Sequence, residues 1–157
     1  MLAPEPLVEK EFDIIRELWS SYDLEDGTLL RSRTILMKVM GPKKMPKQGR
    51  VALNFAFQQL NVVTASPGDR GKPNPSPVPL EELQRLRKEE VDVVTEREGW
   101  NIYRLKGVEE PKRLKTKVVV SSVYKVPKQY DQEGNPVYII NSATIVAPAS
   151  AKEFEEG

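Results

Sequence analysis

The side chains able to do chemistry in this sequence are carboxylates, lysines, arginines and tyrosines, because histidine and cysteine are both absent. The commonest general base and the commonest transition-metal ligand are therefore missing, as are disulfides and thiolate sites. Asp23, Glu25 and Asp26 run into Gly27 as the acids of a calcium loop might. The alternate ligand positions, the glycine at the sixth and the glutamate at the twelfth do not follow. A solvated hairpin turn fits them better, and the same holds for Asp131 and Glu133. Glu89, Glu90 and Asp92 could be imagined as paired acid–base carboxylates, but they close an amphipathic stretch where a solvated face is ordinary. Gly68-Asp69-Arg70-Gly71 lacks the lysine and the following helix of a phosphate loop. These residue types argue against an enzyme, and no cofactor or metal is expected.

Charge segregation points to binding instead. The net charge is only +1, with a pI near 7.8. Yet from Gly27 to Gly68 no acid occurs, while Arg31, Arg33, Lys38, Lys43, Lys44, Lys47 and Arg50 are basic. From Pro111 to Tyr130 acids vanish again, leaving Lys112, Arg113, Lys115, Lys117, Lys125 and Lys128. Residues 1–26 and the tail at Glu153, Glu155 and Glu156 are acidic. Three readings follow: an ordinary solvated surface, a basic face that meets acidic arms of a neighbouring subunit, or a face that displaces counterions from a nucleic-acid backbone. The moderate pI weighs against the last. Among aromatics, Phe55, Phe57, Trp100 and Tyr103 at strand-like positions read as core more than as base-stacking platforms. Tyr124, Tyr130 and Tyr138 sit among lysines and are better candidates for stacking.

The elements that must position these groups are mostly strands. Residues 11–22 fit both helical and alternating patterns, and Trp19-Ser20-Ser21-Tyr22 tips them toward a strand. Asp26-Gly27 predicts a tight turn into a return strand over 28–40. A loop from Gly41 to Gly49 follows. Val51, Leu53, Phe55 and Phe57 then alternate, and a shift of phase to Leu60 and Val62 predicts a bulge near Gln58-Gln59. Ser66 to Pro79 holds five prolines and reads as an exposed loop. Pro79 to Glu90 reads as an amphipathic helix with Leu80, Leu83 and Leu86 on one stripe. Val91–Thr95 and Trp100–Leu105 suggest a short hairpin about Glu98-Gly99. Ser121 to Val146 reads as one long hairpin turning at Tyr130 to Pro136. Tyr-Asp-x-Glu occurs at both Tyr22 and Tyr130, a likeness that two convergent turns explain.

The expected fold is mainly β: a single small barrel or sandwich of about seven strands with one α-helix near 79–90. The strand order also suits an oligonucleotide-binding barrel, a comparison at the level of fold alone. An N-terminal arm (1–10), a mainly-β domain (11–147) and an acidic tail (148–157) are expected. No apolar run approaches the ~20 residues of a membrane span. The opening Met1-Leu2-Ala3-Pro4-Glu5-Pro6 lacks the basic region and apolar core of a signal peptide. A cytoplasmic or particle-associated location follows. The functional expectation is a non-enzymatic protein-interaction or structural module, a subunit of a larger or self-associating assembly. The alternative is a nucleic-acid-binding barrel with little sequence preference. In either case Arg31, Arg33, Lys43, Lys44, Lys47, Arg50, Lys125 and Lys128 would contact the partner or phosphates, with Tyr124 or Tyr130 stacking.

Overall fold

The computed structural model describes residues 6–44, 53–106 and 113–149. These form ten strands: β1 (Val8–Lys10), β2 (Phe12–Arg16), β3 (Ser20–Leu24), β4 (Leu29–Gly41), β5 (Asn54–Thr64), β6 (Glu89–Glu90), β7 (Val93–Arg97), β8 (Asn101–Leu105), β9 (Arg113–Tyr130) and β10 (Pro136–Pro148). The protein is mainly β, with two antiparallel sheets and no closed barrel among the described residues. In the first sheet β4 lies between β5 on one edge and β3 plus β1 on the other, with β7 beyond β3. In the second, β9 lies between β10 on one edge and β8 plus β6 on the other, with β2 beyond β8. No helix among the described residues is long and apolar enough to cross a membrane.

The two hairpins predicted from turn chemistry are present. Gly27 (φ 86°) closes β3 onto β4, and Gly134 (φ 85°) closes β9 onto β10, in the left-handed region that glycine enters without a Cβ penalty. The helix expected over 79–90 is corrected to a single turn, α1 (Leu80–Leu83). Only Leu83 of its stripe is buried, while Leu80 and Leu86 are exposed. One turn buried at one residue does not offset the cost of nucleating a helix. Glu89 and Glu90 instead take strand partners in β9, opposite Lys125 and Tyr124. The single strand expected over 11–22 is two strands in different sheets, broken at Glu17-Leu18-Trp19. The hairpin expected about Glu98-Gly99 does not form either, because β7 pairs with β3 while β8 pairs with β2 and β9. The bulge placed at Gln58-Gln59 lies across the ladder, at Met37 of β4. That extra residue turns Lys38 outward and Val39 inward, while β5 keeps its phase and leaves Leu60 exposed.

Two apolar clusters draw on both sheets. Tyr22, Leu24 and Leu30 meet Val120 and Val123 in one. Leu36 and Val39 meet Tyr103 and Leu105 in the other. The proline-rich segment is largely exposed, yet Gly71 N–H donates to Gly134 C=O (2.9 Å) and Asn74 N–H to Asp131 C=O (2.8 Å), which holds it on the β9–β10 turn.

Candidate functional site

The two halves of the chain repeat each other. Arg16-Glu17-Leu18-Trp19-Ser20-Ser21-Tyr22-Asp23-Leu24 returns as Arg97-Glu98-Gly99-Trp100-Asn101-Ile102-Tyr103-Arg104-Leu105, a shift of 81 positions. Leu30-Arg31-Ser32-Arg33 returns as Leu114-Lys115-Thr116-Lys117. The ladders obey the same correspondence. Phe12 faces Leu105 as Leu24 faces Val93, and Arg16 faces Ile102 as Arg97 faces Ser21. The register shift at Leu36/Lys38 has its counterpart at Val120, where Asn141 pairs Ser122 and Ser142 pairs Val120. Each half therefore lends one strand, β2 or β7, to the other half's sheet, as in an exchanged dimer joined into one chain.

The crossing points carry matched polar networks. Glu17, whose side chain is 7% exposed, accepts from Tyr103 Oη (2.8 Å) and from Arg33 Nη2 (3.2 Å). Glu98 accepts from Tyr22 Oη (2.6 Å) and faces Lys117 Nζ (3.8 Å). In each case the tyrosine comes from the other half. A third network of similar chemistry joins Tyr138 Oη to Asp26 (2.5 Å) and Thr28 Oγ1 (2.9 Å), with Lys125 at 3.8 Å. Burial, and then the neighbouring carboxylate, pushes the phenols of Tyr22, Tyr103 and Tyr138 well above their ordinary 10.0. Burial opposes ionisation of Asp26, but hydrogen bonds from Tyr138 and Thr28 outweigh it and hold its carboxyl below the usual range.

Those phenols predict an alkaline transition. The folded pKa of each lies above the unfolded one, so its stabilisation is complete below about pH 10 and is lost as pH rises beyond it. Phenolate absorbance from these three of the five tyrosines should rise together with loss of the β-sheet circular dichroism. Reversible ionisation of all five with the fold intact would contradict the assignment.

Outside the networks, each half presents a tryptophan under two cations. The guanidinium carbons of Arg31 and Arg33 stand 5.4 and 5.7 Å from the Trp19 ring centre. Lys115 and Lys117 stand 4.7 and 5.3 Å from that of Trp100. Such contacts are attractive because the ring face is electron-rich. Leu60 is paired with Arg33 and Ile145 with Lys117, and both apolar side chains are exposed. Trp19 is 39% exposed, and Trp100 is half-buried.

The residues singled out from sequence are dispersed. Arg31 and Arg33 lie on β4 of the first sheet. Lys43 and Lys44 are exposed just beyond it, with the Lys43 carbonyl accepting from Lys10 Nζ (3.3 Å). Lys47 and Arg50, like Glu153, Glu155 and Glu156, fall outside the described residues. Lys125 faces Asp26. Lys128 is exposed with φ 67°, beside an open groove shared with Tyr130 and the proline-rich segment. Tyr124 pairs across the ladders with Ile139 and Glu90. The Tyr130 ring lies so close over Gly71 that a Cβ there would stand 2.3 Å from it. Phe55 and Phe57 stack on each other against the second cluster, and Tyr103 is fully buried. The turn acids are occupied: Asp23 holds Arg97 through both oxygens, and Asp131 accepts from the N–H groups of Glu133 and Asn135. Among the described residues no group of three or more acids could hold a metal ion.

Trp19 and Trp100 escape a reading based on basic runs, which marks only the cations beside them. The repeated Arg-Glu-x-Trp-x-x-Tyr-x-Leu pattern is the signal that finds them. No family model, curated protein or solved structure matches this chain.

Proposed function

We propose that this chain is a non-enzymatic interaction module, a subunit of a larger or self-associating assembly, working through the two repeated tryptophan–cation faces. The observation that carries this reading is the repetition itself. A tryptophan, two cations and an exposed aliphatic are built twice from different residues, with Trp19 exposed and Trp100 half-buried. Tryptophan and arginine dominate the energetics of protein interfaces. Both faces are basic, so the fitting partner is acidic, since like faces repel. The carboxyls with displaced pKa values, Asp13, Asp23 and Asp26, are all lowered, whereas a general acid is tuned upward. The same reading takes the two sheets as an open sandwich, supported by clusters drawn from both. It places the protein in the cytoplasm or on a particle.

Sedimentation of the chain from its native source tests the proposal. The wild type should migrate in an assembly well above 17.8 kDa. Trp19→Ala combined with Trp100→Ala should release it as a folded monomer. A wild type that is monomeric at high concentration and free of partners would overturn the reading.

One observation favours a second reading. A half-exposed indole beside two cations is also the equipment of a single-stranded nucleic-acid site, where a base stacks and phosphates are neutralised.

A further inference from the structure

We infer that the chain binds single-stranded nucleic acid at two equivalent sites, one on each half, with Trp19 and Trp100 as the stacking residues. The inference rests on the nucleic-acid reading of the tryptophan faces and deepens it to a site count and a ligand form.

Three observations and one general requirement of stacking support it. The cations at each site are alternate residues of one strand, Arg31 and Arg33 on β4 and Lys115 and Lys117 on β9. They therefore project from the same face roughly 6.7 Å apart along the strand, a spacing that suits successive phosphates of an extended chain. Among the described residues, a carboxylate at each site lies behind one of the two cations. Glu17 is 7% exposed against 31% for Arg33, and Glu98 13% against 27% for Lys117. Each acid is also held inward by a buried tyrosine. The indole stays while the cation changes from arginine to lysine between halves, as expected where charge and a ring face matter more than a forked hydrogen-bond pattern. Finally, stacking on an indole needs an unpaired base, which a duplex hides.

The two tryptophans are the only ones in the chain, so each can be read alone. Short oligothymidylate is titrated at low salt into the full-length wild type, Trp19→Ala and Trp100→Ala, with circular dichroism checking the fold of each. The wild type should bind two short oligonucleotides. Each variant should bind one, with quenching of the tryptophan it retains. The removed site should lose about 5- to 150-fold in affinity, the range for one stacked base. Affinity should fall with salt at a log–log slope of about −1.4 per site for two neutralised phosphates. Quenching of one tryptophan alone, or a stoichiometry of one in the wild type, would overturn the two-site inference while leaving nucleic-acid binding in place. Absence of quenching at either tryptophan at the lowest salt would overturn the nucleic-acid reading itself. In that case quenching by an acidic polyglutamate peptide would return the faces to a protein partner.

Discussion

Tyr103→Ala is expected to destabilise the protein by about 3–5 kcal/mol, the range for removing a large buried aromatic. Tyr103 is fully buried, packs edge-on against Phe12 with ring centres 5.9 Å apart, and donates to a carboxylate that is itself nearly buried. The cavity and the deprived Glu17 act together. Tyr103→Phe separates them. It keeps the ring and removes only the donor, so about 1.5–3 kcal/mol should be lost, as for a hydrogen bond to a charged group. Because Tyr22 holds Glu98 in the same way from the other half, Tyr22→Phe should cost a similar amount. Urea denaturation measures all three. If both phenylalanine variants lie within 0.5 kcal/mol of wild type, the ordinary scatter of surface changes, the crossing networks do not hold the halves together.

Gly134→Ala should be the most damaging small change in a turn, at about 2–5 kcal/mol. A side chain in the left-handed region costs about 1–2 kcal/mol. The added Cβ would also stand 2.6 Å from the carbonyl oxygen of Gly71, a residue whose N–H is itself bonded to the Gly134 carbonyl. Forcing that contact apart adds about 1–3 kcal/mol and frees the proline-rich segment from the hairpin. Gly68→Ala is the control. Nothing lies within 4 Å of its Cβ, so stability should stay within about 0.5 kcal/mol of wild type. Thermal unfolding of the two variants compares them directly. Equal melting temperatures would show that the turn tolerates a shifted loop.

Local chemistry in the chain determined a good deal. Alternation with β-branched and aromatic residues specified a mainly-β protein, and Asp26-Gly27 and Gly134 placed two hairpin turns, because positive φ is a local demand. The same local rules misassigned 79–90. Leu80, Leu83 and Leu86 make a helical stripe, but only tertiary packing decides whether a stripe is covered, and only Leu83 is. The rules also joined Val91–Thr95 to Trp100–Leu105, since neighbours in sequence are the default partners. Tertiary structure decided otherwise. It sent β2 and β7 each into the opposite sheet, where Tyr103 reaches Glu17 and Tyr22 reaches Glu98 across more than seventy residues. The site followed the same division. A run of cations is visible in sequence, whereas the pairing of Arg31 and Arg33 with Trp19, from the break just before β3, exists only once β3 has laid itself along β4. The sequence by itself determined which groups carry charge and which local turns can form. Only the tertiary structure decided which charges stand together, because pairing across sheets depends on long-range burial that no local spacing encodes.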